Sequence, residues 1–395
     1  MDAEAFGSFD GRIWLNAAHQ GPLPVAAAAA AHQAVADKLS PVRIADDAFF
    51  ALPRELKNGL GRLLGVSAAE VVLGNSTTYG LHLLTHGLAW RPGDEVLLVD
   101  GDFPATVIPW LALRRHGVRV RMLKPGRRPL SAAELERELT PATRVFCSSW
   151  VFSFTGEAID LHAIGALCRE RGVCFVVNAS QAIGARPIDL RTTPVDALVS
   201  CGFKWLCGPY GTGFCWIEPG LLERLDYEQP YWLTQMHDSD LRHEATYEPR
   251  TDLGAARYDV FCTANFLNFA PWRASIELLL EIGIETIATH DQALVGRLIA
   301  GLTDTDWQLV SPRQEPERST LVLIRHPNPD RTAAAAAALT KAGIDIAERA
   351  GSLRFSPHLY NTTSDIDRAL AVLHARDGRE GRRALCVNSQ ADCQP

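Results

Sequence analysis

The stretch "GFKWLCGPYGTG" at residues 202–213 sets Lys204 between Phe203 and Trp205 and follows it with glycine and proline. The chain has only five lysines, Lys38, Lys57, Lys124, Lys204 and Lys341, so an amine placed among aromatic rings asks for a reason. Poor solvation of its ammonium lowers the pKa and frees the amine as a nucleophile toward carbonyls; the alternative is a packed stem whose head reaches water. A second chemical feature is "LGNSTTYGLHLL", where a strand end turns through Ser76, Thr77 and Thr78 into a helix. Free amides at a helix start, the helix dipole and two or three hydroxyls form an anion seat that suits a phosphate, and the alternative is a plain N-cap by Ser76 or Thr77. The third is "CFVVN", a strand that ends in Asn178 with Gln181 one short step later.

The elements that must position these groups are legible as alternating runs. "EVVLG", "EVLLVDG", "VRVRML", "TRVFCSS", "VCFVVN", "ALVSCG" and "GFCWI" are short apolar segments separated by helical patterns from residue 70 to about 217. Continuous apolar strands between amphipathic helices imply a largely parallel sheet covered on both faces, an α/β architecture whose ligands bind at the carboxyl ends of the strands. Beyond the polar, aromatic stretch "QPYWLTQMHDSDLRHEATYEPR", one long helical pattern runs from "APWRASIELLLEIG" to about Leu302 and reads as the helix leaving the large domain. A smaller α/β unit follows, with "STLVLIRH" as a strand, "RTAAAAAALTKAG" as a helix, "LRFSPHLYN" as a strand and loop, and "TSDIDRALAVLHAR" as a capped final helix. The expected division is a large cofactor-binding domain at 22–267, a small domain formed by 1–21 and 268–378 including the linking helix, and a mobile tail at 379–395 that holds Cys386 and Cys393.

A phosphate seat, an aldehyde-capturing lysine and a residue poised for a ring nitrogen are together what pyridoxal 5′-phosphate requires. Over nearly its whole length the chain resembles the class V branch of the fold-type-I pyridoxal-phosphate enzymes, which contains cysteine desulfurases, selenocysteine lyases, kynureninase and isopenicillin N epimerase. The resemblance rests on "WLNAAHQGPLP", "GNSTTYGLHLL", "DFPATVIPW", "NASQAIGARPIDL", "FKWLCGPYGTGF" and "RAGSLRFSPHLYNTTSDID". It implies a large domain with a mainly parallel seven-stranded sheet and a smaller C-terminal α/β domain. It makes Lys204 the Schiff-base lysine and proton shuttle, Ser76, Thr77 and Thr78 the phosphate ligands, and Gln181 the partner of the ring hydroxyl. Phe103 falls where the family stacks a histidine or aromatic ring, with a strand-end core residue as the alternative. Thr263 in "CTAN" resembles the segment that reaches the phosphate from a partner subunit, so a homodimer with shared active sites is implied. Arg354 matches the arginine that grips the substrate carboxylate, a task suited to a planar two-toothed donor. Arg349, a few residues earlier, reads equally as an exposed charge at a helix end.

Three departures from the family pattern bear on the reaction. Asn178 stands where the family carries an aspartate whose charge keeps the pyridine nitrogen protonated, so negative charge at the substrate α-carbon is less stabilised. The loop before Arg354, "IDIAERAGSLRFSPH", lacks the reactive cysteine of desulfurases, which disfavours persulfide chemistry. Cys201 and Phe203 replace the serine and histidine that usually precede the lysine. The expected reaction is therefore β-elimination on an S-substituted L-cysteine, with oxygen-dependent decarboxylation and deamination, epimerisation or transamination as the alternative outcome. A binding or regulatory protein that keeps the fold without catalysis is a third reading, against which Lys204, the phosphate seat and Arg354 all count. His19, Gln20, Ser153, Tyr231 and Trp232 are expected around the substrate entrance, with His19 and Ser153 among the substrate-binding residues.

Composition agrees with an ordinary soluble globular protein. The chain has 395 residues, 47% hydrophobic and 22% charged, with net charge −7, so no basic face invites nucleic acid. No window approaches a membrane span, and "MDAEAFGSFDGRIWLN" lacks a secretion signal, which makes the cytoplasm the expected location. The nine cysteines show no CxxC pair and no ligand-like spacing with histidine, so neither disulfides nor a metal site are expected. Cys147, Cys174 and Cys215 lie inside apolar runs and read as small core residues.

Overall fold

The computed structural model describes residues 3–126, 128–226, 229–236 and 250–377. The tail at 379–395, with Cys386 and Cys393, lies outside the described residues. All seven apolar runs are strands of one sheet: β1 (Val71–Gly74), β2 (Glu95–Val99), β3 (Arg119–Leu123), β4 (Thr143–Ser149), β5 (Cys174–Asn178), β6 (Ala197–Cys201) and β7 (Gly213–Ile217). Their order is β1-β7-β6-β5-β4-β2-β3. β2 to β6 run parallel to their neighbours, and β7 alone is reversed, pairing antiparallel with both β6 and β1. Every residue of β1, β2, β6 and β7 is buried, the signature of a sheet covered on both faces.

Because β7 is the single reversed strand, β1 and β6 point the same way, and the carboxyl ends of β1, β2, β4, β5 and β6 converge on one edge of the sheet. Helix α2 (Ala48–Leu64) packs against β1, with α1 (Val25–Leu39) preceding it in the chain; α3 (Thr77–Gly87) and α4 (Pro104–Leu111) start at that edge. Gly80 lets α3 lie close on the sheet, since a Cβ there would stand 2.6 Å from Val199 Cγ1 of β6.

The expected single long helix is two. α5 (Phe266–Ile282) and α6 (Ile284–Gly301) are broken at Gly283, whose backbone (φ 87°, ψ 129°) leaves the helical region. α5 packs against α1 and α2, whereas Leu294, Val295, Leu298 and Ile299 of α6 enter a separate core with the C-terminal elements. That core lies under a four-stranded antiparallel sheet of β8 (Gln308–Leu309), β9 (Val322–Arg325), β10 (Ala347–Arg349) and β11 (Ser352–Phe355), in the order β10-β11-β9-β8. Helices α7 (Pro329–Lys341) and α8 (Thr363–Arg376) complete it, the latter with a capping box from Thr362 and Asp365. Near the N-terminus, Ile13–Trp14 pair with Ile344–Asp345 in this part, while Ala17 and Ala18 join the large core. Among the described residues no helix is long and apolar enough to cross a membrane.

Candidate active site

Lys204 follows β6 directly, and its side chain lines a cavity of about 380 Å³ at the carboxyl edge of the sheet. The amine has no hydrogen bond or ion pair among the described residues. It lies 5.3 Å from the ring centre of Phe103 and 6.0 Å from that of Phe203. The residue is half-buried by surface area, and burial pushes its pKa below the usual lysine value, with Arg354 and Arg349 adding to the effect against an opposing contribution from Cys201.

The same cavity collects most of the side chains expected from sequence. Ser76, Thr77, Thr78, Phe103, Asn178, Gln181, Ser153, His19 and Arg354 all line it. Ser76 is the N-cap of α3, its Oγ accepting from the Tyr79 amide at 3.3 Å. The N-cap and the candidate anion seat therefore share one helix end, where the amides of Thr77 and Thr78 have no intrahelical partners. Thr77 Oγ1 pairs with Ser180 Oγ at 2.6 Å. Thr263 does not join this cavity; it lines another, beside the buried Lys57–Asp259 ion pair (2.6 Å).

Asn178 is locked. Its Nδ2 donates to Thr106 Oγ1 at 2.8 Å, and its Oδ1 accepts from the Ser180 amide (3.0 Å) and Ser180 Oγ (2.7 Å). Behind it runs a polar chain that sequence reading missed. Ser149 Oγ donates to Asp102 Oδ1 at 2.6 Å, which leaves Thr106 Oγ1 to donate to Ser149 Oγ at 3.2 Å. Asp102 also accepts from the amides of Ser149 (2.8 Å) and Phe103 (2.6 Å), while burial raises its pKa. The recurrence of short polar residues at the ends of β2, β4 and β5 was the available signal.

Gln181 is equally fixed, accepting from Trp205 Nε1 (2.9 Å) and donating to the Ala18 carbonyl (3.0 Å) and Ser153 Oγ (3.3 Å). Arg354 is 2% exposed, donates through Nη1 to the Ser153 carbonyl at 3.3 Å, and has a buried Nε with no partner. Among the described residues no carboxylate touches it, and burial lowers its pKa to about 10. His19 is held below its ordinary pKa by burial and then by Arg349, Arg354 and Lys204. Gln20 meets the Tyr210 hydroxyl, and Tyr210 in turn stacks on Phe203 with ring centres 4.8 Å apart, so the N-terminal segment closes over the lysine loop. Gly21 makes that approach possible, because a Cβ there would stand 2.0 Å from the Lys204 carbonyl oxygen.

Arg349 requires a correction: it is no exposed helix end but the last residue of β10, and it lines the Lys204 cavity. Two other places fail the chemical test. A cavity of about 650 Å³ beside Arg186 and Asp160 has no lysine or cysteine in its wall. Asp306, His326 and Asp377 bring ligand-type atoms within 4.8 Å of one another, but His326 Nδ1 accepts from the Asn328 amide at 3.0 Å, so neutral His326 carries its proton on the Nε2 that a metal would need.

The residues of the Lys204 cavity fit pyridoxal phosphate. An unpaired, desolvated amine, a helix start with three hydroxyl residues, an aromatic wall and a guanidinium with an unpartnered Nε line one space within the usual size range of ligand sites. Comparison with known proteins points the same way. Residues 45–369 match the model of the family described as aminotransferase class-V. The isopenicillin N epimerase of Streptomyces clavuligerus is 27% identical over 83% of this chain and 85% of its own. The kynureninase of Pseudomonas fluorescens is 27% identical over 82% and 79%. A solved structure of the cystine C–S lyase C-DES with its product cysteine persulfide superposes with TM-score 0.82 at 23% identity, covering 92% of this chain and 98% of that one. The chain therefore belongs to the aminotransferase class-V family of pyridoxal-phosphate-dependent enzymes.

Proposed function

We propose that this enzyme is a lyase that removes the sulfur substituent of an S-substituted L-cysteine by β-elimination. The observation that carries the reading is one cavity in which the unpaired amine of Lys204 and the half-satisfied guanidinium of Arg354 face each other without a single carboxylate in the wall. Lys204 would anchor pyridoxal phosphate through Nζ, Ser76, Thr77, Thr78 and the first amides of α3 would hold its phosphate, Phe103 would cover the ring, and Gln181 and Asn178 would serve the ring hydroxyl and the ring nitrogen. Thr263 reaches the phosphate from a second copy of the chain. Bound pyridoxal phosphate supplies an electron sink that acidifies the α-proton of the amino acid.

Arg354 binds the α-carboxylate as a two-toothed donor and fixes which bond at the α-carbon faces Lys204. Lys204 Nζ, freed when the substrate's amine takes its place and favoured in its basic form by desolvation, takes the α-proton and passes it to the departing sulfur. The thiolate leaves from the β-carbon, and the unsaturated amino acid that remains adds water and breaks down to pyruvate and ammonia. Each S-alkyl cysteine and one water thus give one thiol, one pyruvate and one ammonia. The hairpin turn before Arg354 carries no cysteine to accept sulfur, which supports elimination over persulfide transfer.

Incubation of the holoenzyme with S-methyl- and S-ethyl-L-cysteine is expected to release thiol and pyruvate in equal amounts. No product from a series of such thioethers would contradict it. The neutral Asn178 favours a second reading, oxygen-dependent decarboxylation with deamination or epimerisation, on the same cofactor. Oxygen uptake or carbon dioxide release in place of thiol would mark the oxidative route.

A further inference from the structure

The β10–β11 hairpin carries both arginines of the cavity, and its register explains why. Arg349 pairs with Ser352 and Ala347 with Arg354. Residues opposite each other in an antiparallel pair share a face, as do residues two apart on a strand, so Arg349 and Arg354 are diagonal neighbours on the face turned to the cavity. The two residues between the strands, Ala350 (φ 48°) and Gly351 (φ 73°), both have positive φ, the geometry of a two-residue hairpin turn that fixes this register. An alanine held at positive φ is a strained backbone position of the kind that persists where a site requires it.

The two guanidiniums are not used alike. Arg354 is almost fully buried and its Nε is orphaned. Arg349 is half-buried, and its one hydrogen bond among the described residues is to the neighbouring Glu348 carbonyl at 2.7 Å. With Lys204 and His19 they make four basic groups in a wall that contains no aspartate or glutamate, although the chain as a whole carries a net charge of −7. One α-carboxylate satisfies Arg354 and leaves Arg349 with unused donors facing the same space.

We propose that the amino acid this site accepts carries a second anionic group, a carboxylate at the far end of its side chain, and that Arg349 receives it. The inference rests on the assignment of the α-carboxylate to Arg354. It narrows the substrate class from S-substituted cysteines in general to those whose sulfur substituent ends in an acid.

The test compares two ligands of nearly equal shape, S-carboxymethyl-L-cysteine and S-carbamoylmethyl-L-cysteine, on wild-type holoenzyme and on Arg349→Gln and Arg349→Lys. Dissociation constants are read from the stopped-flow absorbance change before product forms, and KM and kcat from thiol release. Wild type is expected to favour the acid over the amide by about 10- to 100-fold, as one charge-assisted bidentate contact would give. Arg349→Gln should bring the ratio near one, and Arg349→Lys should restore part of it. Equal affinity for acid and amide in wild type overturns the proposal. So does an Arg349→Gln variant that weakens both ligands alike, since both arginines would then serve the α-carboxylate. An affinity ratio that stands while neither ligand yields pyruvate supports the second-anion site and sinks only the elimination reading.

Discussion

In the proposed reaction substrate orientation turns on Arg354, and its state in the protein is legible in its contacts. It holds a charge with one long hydrogen bond and an unpartnered Nε in a buried position, an arrangement that costs stability unless an anion completes it. Replacement by glutamine is expected to raise KM for an amino-acid substrate by about 10- to 100-fold, the worth of a charge-assisted contact. Replacement by lysine keeps charge and loses the two-toothed geometry, so it should recover only part of that loss. Because burial lowers the arginine's pKa to about 10, the grip on a carboxylate is present at neutral pH and weakens as pH rises through that value. A KM that stays flat up to pH 11 would count against Arg354 as the carboxylate ligand. At this scale the sequence told most for Lys204, whose aromatic neighbours announce a desolvated amine. It told least for Arg349 and Asp102. "IDIAERAG" is too short and too charged to read as a strand, and Asp102 reaches Asn178 only through hydroxyls on two other elements.

Between elements, the junction of the C-terminal loop, α6 and the lysine loop is an internal ion pair. His358 Nδ1 meets Asp291 Oδ2 at 2.7 Å and His358 Nε2 donates to the Trp205 carbonyl at 3.0 Å, while Trp205 Nε1 bonds Gln181. Burial alone would keep this imidazole neutral, yet the Asp291 carboxylate overrides it and raises the pKa to about 10. A folded pKa above the ordinary value of ~6.5 means that the pair's contribution is fully present below that pH and is lost as pH climbs toward 10. His358→Ala leaves a buried carboxylate unpaired and is expected to lower the unfolding free energy by about 3–5 kcal/mol, with the loss smaller at pH 10 than at pH 6. Urea unfolding at the two pH values checks this, and an unchanged midpoint at pH 6 would contradict it. Apart from the edge strand β3, where only Leu123 is buried, the strands of the large sheet were legible because a strand buried on both faces has no polar alternation to confuse with a helix. The break at Gly283 was not, because a lone glycine inside a helical pattern is compatible with continuity.

For the whole molecule, the family-level fold explains why groups from so distant parts of the chain meet. Five strands deliver their carboxyl ends to one edge, and the hairpin of the C-terminal sheet brings its arginines across the opening. Thr263, Tyr231 and Trp232 are absent from that meeting within a single chain. Thr263 lies elsewhere, near a surface where Trp232 (58% exposed) and Phe261 (55% exposed) flank Tyr231. A second copy covering this surface is the arrangement proposed above, and sedimentation should give a particle of twice 43.2 kDa at micromolar concentration. A monomer that retains full activity would rule out shared sites.

The central claim is a covalent bond between Lys204 and the aldehyde of the cofactor. Borohydride reduction of the holoenzyme, proteolysis and mass spectrometry should find the pyridoxyl mass on the peptide that contains Lys204 and on none containing Lys38, Lys57, Lys124 or Lys341. A label on any of those four lysines, or no label at all on a protein that holds the cofactor, would contradict the account.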